Sequence, residues 1–255
     1  MGFMQGGSME IQRILDKYDR LMDEKEFEEA DRHLNYWIEE AKALGDDRSA
    51  FTLLNELVGY YRMQGKKRET VSAIDRLLDI TKEMELNDTV SGATAYINAA
   101  TGYKSADMAE EALPLYEKAL IIYERDLTKT DTRISALYNN MALTLMALKD
   151  YDRSGSFFLK ALDILEKNDN SENEQAITLL NLADLAEKIM PAEKAEEKIA
   201  EYIEEAKKKL NESFIKKNPG FKFTAEKCIP AIKYHGYFLI AMELEDKISG
   251  ITKRG

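Results

Sequence analysis

The chain has 255 residues, of which 44% are hydrophobic and 33% charged, and its formal net charge is −11. That charge argues against nucleic acid and anionic membrane as main partners. The one cysteine, Cys228, excludes an internal disulfide and fits a reducing compartment, and no apolar run reaches the eighteen residues of a membrane span.

In chain order, residues 1–8 read as a disordered tail. MGFMQGGSME lacks the apolar core of a signal peptide. Gly2 would suit N-myristoylation, but the hydroxyl residue that motif wants is Gly6 here. A cytoplasmic location follows by default. Apolar residues at helical spacing then predict helices near 9–22, 27–44, 48–64, 67–84, 89–104, 108–125, 132–148, 151–167, 173–189, 192–216 and 223–248. Asp88, Asp131 and Ser171 are the expected N-caps.

These helices repeat. A small residue falls in register at Ala30, Thr70, Ala112, Ser154 and Ala195, in steps of 40, 42, 42 and 41. Twelve residues before it stand Tyr18, Val58, Ala100, Ala142 and Ala183. Nine before it stand Leu21, Tyr61, Tyr103, Leu145 and Ala186, and four after it Leu34, Ile74, Tyr116, Phe158 and Ile199. Small residues on facing helices let two axes approach, and the large ones fill the space beside them. A fixed period of this size signals a solenoid, in which each unit buries its apolar face against its neighbours.

The stretches AEEALPLYEKALIIYE and LYNNMALTLMALKDYDRSGSFFLKALDILE resemble the tetratricopeptide repeat family. The resemblance runs over roughly residues 9–210 and is nearest to the 42-residue variety of kinesin light chains and of Gram-positive peptide-sensing regulators. It implies an all-α solenoid, a right-handed superhelix of antiparallel helix pairs. Residues 9–217 would form five pairs, and 218–255 a C-terminal capping helix and tail. The family's common repeat is ~34 residues and closes with a proline. Here the equivalent sites are Lys42, Lys82, Glu124, Glu166 and Lys207, so the second helix can run on for about two more turns. In the tail helix, Pro230 is expected to bend or delay the start. Tyr237, Ile240, Leu244 and Ile248 would cover the exposed face of the fifth pair.

Fourteen residues before the small residue, an amide recurs at Asn98, Asn140 and Asn181, with Asn139 beside the second; the second unit has Glu56 there, flanked by Asn55. Asparagine is a poor interior helix residue, and its side chain both donates and accepts hydrogen bonds, which matches an extended peptide backbone. In the resembling families, asparagines at these places hold such a peptide in a concave groove. A hydrogen bond between helices is the alternative use. Eight before the small residue stand Arg62, Lys104, Met146 and Glu187, so the groove would turn from basic to acidic. Its basic end could take a carboxylate.

Neither histidine, His33 or His235, sits in a metal motif, and a Cys228–His235 dyad would lack an orienting third group. The expected function is therefore a non-catalytic peptide- or protein-binding scaffold, with no cofactor and no metal. Two alternatives stand beside it. One is a structural adaptor that assembles with itself, for instance as a homodimer. The other is a peptide-responsive signalling protein without its output domain, since only about eight residues precede the first repeat.

Overall fold

The structure, a computed structural model, describes residues 10–252, so the expected tail at 1–8 lies outside the described residues. It contains two compact units, divided after Asp126. The first holds α1 (Ile11–Asp23), α2 (Phe27–Leu44), α3 (Asp47–Met63), α4 (Lys67–Glu83), α5 (Val90–Ser105) and α6 (Ala109–Asp126). The second holds α7 (Thr132–Ala147), α8 (Tyr151–Glu166), α9 (Glu172–Ile189), α10 (Ala192–Ile215), α11 (Phe221–Tyr234) and α12 (Phe238–Thr252). The described residues contain no strand. The bounds of α1 to α10 lie within two residues of those expected.

The first four pairs are closed by the same turn, whereas α9 ends at Met190 in an extended conformation (φ −105°). Lys25, Gly65, Asp107 and Lys149 adopt positive φ of 61°, 66°, 64° and 63°. Each stands five residues before the small residue of its repeat. The amide N–H that follows donates to a carbonyl five residues back: Glu26 to Leu21, Lys66 to Tyr61, Met108 to Tyr103 and Asp150 to Leu145. This is the left-handed C-terminal cap that ends a helix by satisfying its orphan carbonyls. The recurring acceptors are the residues nine before the small one, so one residue both packs between helices and anchors the turn.

The small residues are all buried, from 0% exposed at Ala30, Ala112 and Ser154 to 6% at Ala195. Where the residue is polar, its hydroxyl is satisfied: Ser154 Oγ donates to Ala142 O at 2.9 Å and Thr70 Oγ1 to Lys66 O at 2.8 Å. Close approach is literal at Gly102, where a Cβ would lie 2.8 Å from Ile74 Cδ1 and 3.1 Å from Thr70 Cγ2.

Of the expected caps, Asp131 accepts from Arg133 N–H at 2.9 Å. Asp88 does not cap. Thr89 takes that place by accepting from Gly92 N–H, and Asp88 pairs with Arg125 at 2.8 Å. Ser171 stands at the N-cap of α9, but its hydroxyl donates to Leu165 O at 2.6 Å and caps nothing.

The tail departs most from expectation. The apolar stretch read as one helix over 223–248 is a helical hairpin, α11 and α12, with Pro230 inside α11 and not at its start. Gly236, at φ 87°, makes the break, and Tyr237 N–H donates to Ile232 O as in the earlier turns. Gly236 stands five residues before Ala241, which is fully buried. Ile229 and Ile232, twelve and nine residues before Ala241, are buried as well. The hairpin is thus a sixth pair built on the same lattice. Its step from Ala195 is 46 (241 − 195), lengthened by the 24-residue α10. Ile240 and Leu244 join the buried cluster of α9 to α11, with Tyr237 and Ile248 partly buried against it, so the residues expected to cover the fifth pair do so.

A polar network holds the α10–α11 turn. Ser213 Oγ donates to Asn173 Oδ1 at 2.7 Å, Asn173 Nδ2 to Asn218 Oδ1 at 3.1 Å, and Gly220 N–H to Asn218 Oδ1 at 2.9 Å. Lys216 pairs with the buried Glu172. A Cβ on Gly220 would lie 2.9 Å from Asn173 Nδ2, so a larger residue there would displace the Asn173 amide from this network.

Candidate functional site

The first helices of the second to fifth pairs, α3, α5, α7 and α9, carry the amides singled out above. In the first unit, α3 and α5 pack directly against one another. Asn98 Nδ2, on α5, donates to Asn55 Oδ1, on α3, at 2.8 Å, and Asn55 Nδ2 donates to Phe51 O at 2.9 Å. Both side chains are half-buried, so they keep a wet edge. An amide offers two N–H donors and an oxygen with two lone pairs, and these contacts use only part of that capacity.

Two turns further along the same helices stand Arg62, exposed, and Lys104, half-buried. Burial lowers the pKa of the Lys104 ammonium below the ordinary lysine value, and the charge of Arg62 lowers it further. Neither cation has an acidic partner among the described residues. Glu56 lies on the amide side of α3, where burial and then the charge of Asp19 raise its carboxyl above the usual range. The first unit therefore carries Glu56 beside Asn55 and two cations about two turns further along.

In the second unit, Asn139 Nδ2, on α7, donates to Thr178 Oγ1, on α9, at 2.9 Å. Its Oδ1 is buried and has no partner. Asn140 and Asn181 are half-buried, and neither side-chain amide has a partner among the described residues. Thr178 was not legible as a site residue, because its place carries no recurring type. The acidic end of the series, Glu187, accepts from the Tyr234 hydroxyl at 3.2 Å, and Asp184 lies 2.8 Å from His235 Nε2. The turn of the terminal hairpin thus occupies the carboxylates of α9.

Cys228 is buried, which pushes its thiol up to about 12 and removes its nucleophilic character at neutral pH. Trp37 is partly buried against the core of the first unit, edge-on to His33 with ring centroids 6.3 Å apart. No described helix is long and apolar enough to cross a membrane.

The tetratricopeptide repeat family profile matches residues 133–203. No curated protein matches the sequence. Among solved structures, BtubC (BKLC) from P. vanneervenii is similar, with 21% identity, 78% of this chain and 79% of that chain covered, and a TM-score of 0.69. The apo form of RapI is 15% identical over 97% of this chain and all of its own length, with a TM-score of 0.65. A Rap protein in complex with Competence and Sporulation Factor is 15% identical, covering 93% of this chain and 73% of that one, with a TM-score of 0.55. At these identities the likeness is one of fold.

Proposed function

From the tetratricopeptide repeat match over residues 133–203 and the likeness of fold, we propose that the chain is a non-catalytic scaffold that binds an extended peptide. Within a unit, the backbone of the peptide lies on the first-helix faces, along Asn55 and Asn98 in the first or along Asn139, Asn140 and Asn181 in the second. The observation that carries this reading is the set of half-buried amides with unused donors and acceptors, above all Asn140 and Asn181. A half-buried amide without a protein partner is served by water, which a passing backbone can replace. Arg62 and Lys104 then receive a carboxylate of the ligand, which relieves the desolvated ammonium. A Rap protein of similar fold, solved in complex with Competence and Sporulation Factor, agrees with use of this fold for binding. The cytoplasm is the proposed location, in keeping with one buried, unpaired cysteine.

The test is affinity selection of peptides on the wild-type chain, followed by titration of the triple variant Asn98→Ala, Asn140→Ala, Asn181→Ala. The expected outcome is loss of binding with unchanged far-ultraviolet circular dichroism. Unchanged affinity would overturn the reading. A second reading, self-assembly, has one observation in its favour: Leu239, 77% exposed, and Phe238 and Met242 beside it leave the start of α12 apolar. Mass measurement in solution separates the two. A dimer that dissociates on Leu239→Glu would favour the adaptor.

A further inference from the structure

Away from the amide faces, a pocket of about 940 Å³ opens in the second unit, where the end of α10, the α10–α11 turn and the last turns of α12 meet. Its floor is aromatic: the Phe214 and Phe221 rings lie 5.2 Å apart, centroid to centroid. Ile215 and Ile251 form apolar edges and are 76% and 40% exposed. The pocket therefore shows water a continuous apolar surface that the fold leaves uncovered.

Its charges are of the opposite sign to the chain. Lys217, Lys222 and Lys247 line it against one carboxylate, Asp246, on a chain of net charge −11. Lys247 is engaged, hydrogen-bonded to Asn211 Oδ1 with its Nζ 5.6 Å from the Phe214 ring centroid. Lys217 and Lys222 are exposed and have no hydrogen-bond or ion-pair partner among the described residues. The network around Asn173 and Asn218 fixes the turn that carries Lys217, whose backbone is held at φ 56°. The apolar floor and the backbone that carries Lys217 are thus set before any ligand arrives, which lowers the cost of binding.

We infer that this pocket receives an apolar side chain of a partner protein, on a segment whose flanking residues are acidic. Charge complementarity selects the acidic flank, and the aromatic floor selects the anchor. The exposed Ile215 wall favours a segment of a larger partner over an enclosed small molecule, because it leaves one side of the occupant outside the pocket. None of the amide residues lines this pocket, so the inference stands or falls apart from the peptide-binding proposal.

The test uses the full ¹⁵N-labelled chain and two capped tripeptides, acetyl-Phe-Asp-Asp-amide and acetyl-Phe-Asn-Asn-amide. The acidic peptide is expected to shift the backbone resonances of Gly220, Lys222 and Gly250, and to bind at least about tenfold more tightly than the amide peptide. The gain should shrink as salt rises. The double variant Lys217→Glu, Lys222→Glu should lose the preference for the acidic peptide while keeping its helicity, since both side chains project into solvent. Equal shifts from the two peptides, shifts confined to other residues, or an unchanged preference in the double variant would overturn the inference. A response to decanoate with none to the acidic peptide would overturn it too, and would assign the pocket to a small amphiphile.

Discussion

In the first unit Asn98 is spent on Asn55, and the cations two turns away stand without acids. In the second unit Asn140 and Asn181 have no partner, and the acids at the equivalent end are already bound by Tyr234 and His235. The same repeat has therefore used its polar positions in opposite ways. The first unit spends Asn98 on Asn55 and leaves Arg62 and Lys104 open. The second engages Glu187 and Asp184, pairs Asn139 with Thr178, and leaves Asn140 and Asn181 open. An amide in register is a position that can reach either a neighbour or a ligand, and the neighbouring helix decides which.

Removing the terminal hairpin should affect the two units most unequally. Truncation after Lys217 deletes α11 and α12 and exposes the apolar face of α9 and α10 that they cover. Each buried side chain of the size of Phe221, Ile232 or Leu244 is worth about 1.5–3 kcal/mol. The second unit should melt at a lower temperature and the truncated chain should aggregate, while hydrogen exchange in α1 to α6 stays as it was. An unchanged melting temperature in a soluble truncation would show that the hairpin covers nothing.

Next come substitutions at glycines that face a neighbouring helix. Gly102→Ala in the first unit would set a Cβ 2.8 Å from Ile74 Cδ1, whereas at Gly155 in the second the nearest atom, Leu185 Cδ2, lies at 3.2 Å. Gly102→Ala should cost about 1–3 kcal/mol in chemical denaturation and Gly155→Ala clearly less. Gly236→Ala meets no atom within 4 Å, but it must hold φ at 87°. Its expected cost is about 1–2 kcal/mol from the backbone alone.

These glycines also show what the sequence made legible. The five-fold lattice was readable because buried small residues must recur wherever two helix axes come close, and composition cannot hide that period. The sixth pair was not readable as such. Its step is 46, and the apolar residues of α11 and α12 run on through Tyr234, Tyr237 and Phe238 as though along one helix. The signal that could have found it was Gly236, five residues before Ala241, in the turn position that Gly65 fills in the second repeat. In the other turns Lys25, Asp107 and Lys149 carry the positive φ, so no residue type marked the place. The amides were legible as a recurring type, but their partners were not. Whether Asn98 meets Asn55 or Asn139 meets Thr178 depends on how two helices are rotated, which spacing within one helix does not fix.

Smaller effects sharpen the contrast between the amides. Asn98→Ala strands Asn55 Oδ1 and should cost about 1 kcal/mol, whereas Asn140→Ala removes no internal bond and should stay within about 0.5 kcal/mol. Acid titration supplies a last check on the second unit. Burial alone would raise the Glu172 carboxyl, but the hydrogen bonds from Lys216 and from its own backbone N–H outweigh it and hold the group below the usual range. A carboxyl depressed in the folded state stabilises at neutral pH, and that stability is lost as pH falls through the folded value. Glu172→Gln should flatten the acid limb of the stability profile of the second unit. An unaltered acid limb would show that the pair contributes nothing to it.

The central claim is that the open amides bind a peptide backbone. It is tested most directly by selecting a peptide from a random library on the intact chain and measuring its affinity for the wild type, for Asn140→Ala, Asn181→Ala and for a scrambled-sequence control. A large loss of affinity in the double variant at unchanged melting temperature, with the scrambled peptide still bound weakly, is the expected result, because backbone contacts are indifferent to side-chain order. Equal affinity for wild type and double variant would contradict the account and return Asn140 and Asn181 to the status of solvated surface groups.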